Sequence, residues 1–270
     1  AGLIGKDQKM IRLIHDRARS APKKIVFAEA DQLDVLKAAQ IVMEEGIGQP
    51  ILLGRKDVIS DLMESINFQE EVTILDPKSD EQLEIKSKYA NLFWNEQKRK
   101  GVTLYEAESL MRERNYFAAM MVKNGDVDAM LSGYSRNYAS VIKPVLDVVG
   151  KDKGVSKIAA TNMMLTDRGP IFISDTSINI DPTAKELAKI GFMTSRIVEM
   201  FGIKPVMAML SYTNFGSSKH PNAGKVTDAV AYLHRYYPDL VVDGPLQSDF
   251  ALNRDMLEER FPFSEIAKKN

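Results

Sequence analysis

Short apolar runs separated by helix-patterned segments restrict this chain's fold more than any other feature. Lys24 to Ala28 reads as a buried strand. Asp31 then opens a stretch in which Leu33, Leu36, Ala39 and Met43 recur at helical spacing. Gly46 ends it, and Pro50 to Leu53 forms a second apolar run before Gly54. Strand, helix and strand in that order make a βαβ unit with a right-handed crossover. Val72 to Leu75 adds a strand stopped by Asp76-Pro77. The spacing predicts helices over 81–100 and 103–124, the latter apolar at Leu104, Ala107, Leu110, Met111 and Ala118, and a strand over Ala129 to Ser132. The loop Gly133 to Tyr138 follows.

Gly150 to Gly154, with three charges between the glycines, is the expected boundary, so that residues 1–150 form one α/β subdomain and residues 151–270 a second. Beyond it the pattern predicts strands near Ile158, Ile171 and Val206 and helices over 182–201 and 226–236, with Asp181 as N-cap and Pro182 in the first helical position. The expected fold class is α/β, with two α/β/α subdomains, mainly parallel sheets and a cleft between them.

The balance of 44% apolar and 27% charged residues describes an ordinary globular chain of 270 residues. A net charge of −1 leaves no basic field for nucleic acid and no polybasic stretch for a membrane surface. No apolar run is long enough to span a bilayer, and Ala1 to Lys6 lacks a signal peptide's apolar region. The absence of cysteine excludes disulfides and thiolate metal sites and fits a cytoplasmic protein. His15, His220 and His234 have no second ligand at helical spacing, so no metal is expected. A start without methionine points to a piece of a longer chain.

The chemistry concentrates after the apolar run Pro205 to Leu210, which ends abruptly in Ser211-Tyr212-Thr213-Asn214-Phe215-Gly216-Ser217-Ser218. Open α/β sheets bind ligands at the carboxyl ends of their strands. The competing reading is a polar loop that only caps the next helix. Two other segments accompany it, Phe172 to Ala184 and Asp243 to Leu252. Gly46-Ile47-Gly48 precedes a strand and lacks the third glycine of a dinucleotide fingerprint, and Gly224-Lys225 lacks the adjacent hydroxyl of a phosphate loop.

Together these segments resemble the phosphotransacetylase (phosphate acetyltransferase) family, and within it the C-terminal phosphotransacetylase-like domain of hybrid bacterial NADP-dependent malic enzymes. Thr213-Asn214-Phe215-Gly216-Ser217 stands where the transferases usually read Ser-Thr-Lys-Gly-Ser, and Asp175-Thr176 where they often have Asp-Cys or Asp-Ser. The likeness runs from Lys24 through Ala251. It implies a site for coenzyme A or acetyl-CoA in the cleft, with Ser211, Thr213, Asn214, Gly216 and Ser217 as donors and Lys143 and Arg136 supplying charge. Asp175 and Asn179 lie at a neighbouring strand end, where capping the helix at Pro182 is their other role. Asp243, Gln247 and Asp249 are expected to orient the loop. Glu29 either pairs with a surface lysine or serves a site.

The same resemblance implies what is missing. Gln97 takes the place of one arginine, and Lys143 before Pro144 the place of another, keeping the charge but losing the bidentate fork. The family's Ser-Arg pair and general-base aspartate belong to a segment beyond Asn270. No catalytic residue is assigned. The implied function is a regulatory, oligomerising module that senses acetyl-CoA, while malate oxidation, NADP and a divalent metal belong to a separate N-terminal region. Two other readings fit the same residues: a phosphate acetyltransferase acting between acetyl phosphate and CoA, and a purely structural dimerisation module. The helix over 81–100, with Tyr89, Leu92, Phe93 and Trp94, offers either a self-association surface or core packing.

Overall fold

Strands that are apolar on both sides need cover on both faces, and helices between parallel strands provide it. The computed structural model describes residues 6–153 and 155–268. Its chain divides into two compact units, Gln8–Asp152 and the part from Lys153 onward. The first contains α1 (Lys6–Ser20), β1 (Lys23–Phe27), α2 (Leu33–Glu44), β2 (Gly48–Leu53), α3 (Lys56–Ser65) and β3 (Thr73–Leu75). It continues through α4 (Leu83–Gln97), α5 (Leu104–Leu110), α6 (Arg114–Asn124), β4 (Ala129–Leu131) and α7 (Tyr138–Val148).

All four strands are parallel, in the order β3-β2-β1-β4, with Ile25 beside Pro50 on one flank and Ala129 on the other. The chain walks outward from β1 to β3 and then returns to the opposite flank of β1 as β4. The directions diverge between β1 and β4, so the crevice where open α/β sheets hold ligands opens at the carboxyl ends of these two strands. Side chains alternate as the pleat requires: Val26 joins a buried cluster with Tyr89, Phe93 and Phe117, whereas Phe27 joins Leu36, Ala39 and Ile59.

Of the aromatic surface proposed for self-association, Tyr89 and Phe93 are core residues. They stand edge-on to Phe117 and Tyr116 at 5.3 and 5.9 Å, and only Leu92, at 42% exposure, faces outward. The single helix expected over 103–124 is two helices. Thr103 and Glu106 form a capping box on α5, and the Glu113 carboxylate accepts the N–H groups of Asn115 and Tyr116 to start α6. Ala107, Met111, Phe117 and Ala118 all bury in one cluster, so apolar spacing runs across the break and hides it.

The second unit contains β5 (Thr161–Thr166), β6 (Gly169–Ser174), α8 (Ala184–Met200), β7 (Val206–Leu210), α9 (Pro221–Tyr236), β8 (Val241–Leu246), α10 (Ser248–Leu252) and α11 (Arg254–Arg260). β5 and β6 form an antiparallel hairpin, and β7 and β8 pair in parallel. The strand expected near Ile158 begins at Thr161, because its register is set by the turn at Asp167-Arg168 before Gly169, whose φ is +120°. Helix α8 is capped by Thr183, in a reciprocal box with Glu186; Asp181 instead pairs with Lys225. β8 approaches β7 so closely that a Cβ on Gly244 would lie 2.5 Å from the Met209 carbonyl oxygen. Among the described residues no helix is long and apolar enough to cross a membrane, and no three carboxylates or imidazoles gather as around a metal ion.

Candidate functional site

The loop after β7 is seated on β8. Ser211 N–H donates to the Leu246 carbonyl at 2.8 Å and Phe215 N–H to the Pro245 carbonyl at 2.9 Å. Ser217 folds back, its N–H donating to the Asn214 carbonyl at 2.9 Å and its hydroxyl pairing with buried Thr213. The Asn214 amide grips Gln247 from both ends: Nδ2 donates to Gln247 Oε1 at 2.6 Å, and Oδ1 accepts Gln247 N–H at 2.8 Å. Thr213, Asn214 and Ser217 therefore shape the loop with the groups expected to meet a ligand. The Ser211 hydroxyl and Gly216 N–H have no partner among the described residues.

Phe215 takes φ +35°, a left-handed conformation costing roughly 1 kcal/mol in a non-glycine residue. Its ring offsets that cost by packing edge-on to Phe261 and Phe263, at 5.0 and 4.9 Å. A shallow, open depression of about 580 Å³ lies beside it, lined by Asn214, Gly216, Ser217, Phe250 and Arg260. The Asp243 carboxylate accepts from the Ser264 hydroxyl and from the Glu265 N–H, both at 2.9 Å, and Asp249 is exposed in the first turn of α10.

Asp175 and Asn179 form a closed turn. The Asp175 carboxylate accepts from Ala160 N–H at 2.9 Å, from Asn179 N–H at 2.7 Å, and from the Asn179 amide. Ser177 and Ile178 N–H point to it at 3.5 and 3.3 Å. Such a ring of backbone donors suits a bound anion, and here the chain's own carboxylate fills it. Burial pushes the carboxyl's pKa up, but these bonds outweigh it and hold the group below the usual range.

Lys143 and Arg136 belong to the first unit. Lys143 Nζ sits 2.6 Å from Asp147 Oδ2, one helical turn on, and 3.1 Å from the Tyr116 hydroxyl. That hydroxyl also donates to Asp147 at 2.6 Å, and Gln97 Nε2 donates to the Asp147 carbonyl oxygen at 2.7 Å. The Asp147 bond raises the pKa of Lys143, so the ammonium stays charged, yet the same carboxylate cancels much of the field a ligand would feel. Arg136 is freer: among the described residues its only ion pair is with Glu113, at 3.9 Å.

Glu29 lies two residues past the end of β1, at the divergence of the sheet. It is 3% exposed and, among the described residues, pairs with no lysine. Oε1 accepts Gly133 N–H at 2.6 Å and Tyr134 N–H at 3.1 Å; Oε2 accepts Ser135 N–H at 2.7 Å and the Ser135 hydroxyl. The Ser132 hydroxyl lies within reach of both Glu29 Oε1, at 3.1 Å, and Asn115 Oδ1, at 2.8 Å. Burial would raise this carboxyl's pKa; the bonds from Ser135, Gly133 and Ser132 prevail and hold it at about 2. An open crevice of about 340 Å³ beside it is lined by Glu29, Asp34, Val35, Ala38, Ser132 and Tyr134, whose hydroxyl bonds Asp34. In the sequence, a lone carboxylate directly after a buried strand was the one signal of this arrangement.

These features meet a consistent set of relatives. The phosphate acetyl/butaryl transferase family matches residues 9–270. Over 268 residues the chain is 34% identical to the NADP-dependent malic enzyme of Escherichia coli (strain K12), covering 97% of this chain and 35% of that protein. Over 265 residues it is 33% identical to the phosphate acetyltransferase of Thermoanaerobacterium thermosaccharolyticum, covering 96% and 80%. The phosphotransacetylase from Streptococcus pyogenes is similar in structure, with a TM-score of 0.85 at 30% identity, over 96% of this chain and 78% of that one. The chain thus spans about a third of the malic enzyme it matches and about four fifths of the Thermoanaerobacterium and Streptococcus transferases. By sequence match and fold alike, it belongs to the phosphate acetyl/butaryl transferase family.

Proposed function

We propose that this chain is a regulatory domain of an NADP-dependent malic enzyme, binding acetyl-CoA and self-associating, without phosphotransacetylase turnover of its own. One observation carries the reading: the two positions where the transferases place arginines are spent internally. Gln97 holds the Asp147 carbonyl, and Lys143 is neutralised by the Asp147 carboxylate. Acetyl transfer needs cationic and hydrogen-bonding donors aimed at developing charge, and losing a single one costs about 3 kcal/mol of transition-state stabilisation. Binding is less demanding: in the second unit the Ser211 hydroxyl and Gly216 N–H keep capacity for oxygens of acetyl-CoA, and in the first unit, taken by itself, Arg136 keeps its charge for an anionic group. NADP, a divalent metal and malate oxidation belong, on this reading, to another part of the protein. Symmetric association would carry the acetyl-CoA signal between subunits.

Thermal unfolding of the chain with acetyl-CoA tests the proposal. At ~100 times the dissociation constant, the ligand should stabilise the fold by about 2.7 kcal/mol, seen as a raised Tm. The second reading, a phosphate acetyltransferase, is favoured by the 80% coverage of the Thermoanaerobacterium enzyme. Turnover of acetyl phosphate and CoA in the ordinary range of ~1 to 1,000 per second would decide for it.

A further inference from the structure

We infer that Glu29 is a positioning residue: by gathering the Gly133, Tyr134 and Ser135 N–H groups on one buried carboxylate, it sets the loop that carries Arg136 and delivers the chain to Asn137, the N-cap of α7. The inference rests on the reading that Arg136 meets an anionic part of acetyl-CoA. A run of consecutive N–H groups converging on one point is an anion-binding arrangement. Here the anion is covalently part of the chain, so the loop is formed before any ligand arrives.

Arg136 has little else to fix it. Its side chain is 42% exposed, and its ion pair with Glu113 is long at 3.9 Å. The placement of this cation follows from the backbone beneath it, and that backbone is held by Glu29. The neighbouring Tyr134–Asp34 bond is exposed and contributes less. Glutamine cannot replace the carboxylate. Its amide presents acceptor capacity on one side only, and the N–H donors on the other side cannot turn round as a hydroxyl can.

The test combines amide exchange with binding. In the unliganded protein, Glu29→Gln should raise exchange at Gly133 to Arg136 about tenfold over the wild type, with amides of the β1 core unchanged. The acetyl-CoA dissociation constant should rise about tenfold in Glu29→Gln and in Arg136→Ala. The double variant should be no weaker than Arg136→Ala alone, because the two act through one contact. Ser135→Ala, which removes only the hydroxyl contact, should show the same pattern at smaller size if Glu29→Gln does not fold. Unchanged exchange in both variants would overturn the inference whatever the ligand does. Additive losses in the double variant would overturn the route through Arg136. A wild type that fails to bind acetyl-CoA would overturn the functional reading, and exchange alone would then decide whether Glu29 sets the loop.

Discussion

Two strand-end loops solve one problem in different ways. The loop after β4 hangs its N–H groups on a buried charge, Glu29, while the loop after β7 satisfies itself with neutral groups, Asn214 against Gln247 and Ser217 against Thr213. A charged acceptor makes stronger bonds and costs more when lost, because several donors are orphaned at once. Neutral amides and hydroxyls make a softer loop that is indifferent to pH. The first loop is thus expected to keep its shape without ligand, and the second to adjust around one.

The sharpest break in this contrast comes from below the second loop. Gly244→Ala would drive a methyl group into the Met209 carbonyl, where neither partner is a flexible side chain, and should cost about 3 kcal/mol or more in urea unfolding. A loss under about 1 kcal/mol would show that the seat on β8 is not tight. Acid titration addresses the first loop. The Glu29 carboxyl falls from an ordinary 4.5 to about 2 on folding, so its stabilisation is complete above pH ~4.5 and disappears as pH drops through 2. That window should contain on the order of 3 kcal/mol, absent in Glu29→Gln, and parallel acid curves for the two proteins would refute the anchor.

Asn214→Ala removes both bonds to Gln247 and should lower stability by about 1–2 kcal/mol without ligand. An unchanged Tm would return its amide to the ligand as a free donor. Lys143→Ala is the mildest change. The exposed pair with Asp147 is worth below about 1 kcal/mol, and acetyl-CoA affinity should move less than about twofold because the charge is already cancelled. A large, salt-sensitive loss of affinity would restore Lys143 as a ligand contact.

Much of the first unit was legible because apolar spacing and glycine stops speak directly of local structure; β1, α2 and β2 fall where Leu33, Leu36 and Gly46 put them. The break at Glu113 was hidden because both helices bury into one cluster, and periodicity carries no mark of a turn between them. The cap at Thr183 was available: Thr183-Ala184-Lys185-Glu186 is a capping box, and Asp181-Pro182 drew attention from it. The roles of Glu29 and Asp175 were out of reach. Their partners are largely backbone N–H groups, which every residue has, so no residue type announces them.

The divergence of the sheet between β1 and β4 also says when the first loop is made. Glu29 and Ser135 are 106 residues apart in sequence, and they become neighbours only when β4 docks on β1. Closing so long a loop is slow compared with forming helices or local βα turns. During synthesis the carboxylate emerges about a hundred residues ahead of the donors it will bind and stays hydrated until the last strand of the sheet arrives. The shaping of this loop and the completion of the four-stranded sheet are one event, and a chain stalled before residue 129 holds the anchor with nothing to anchor.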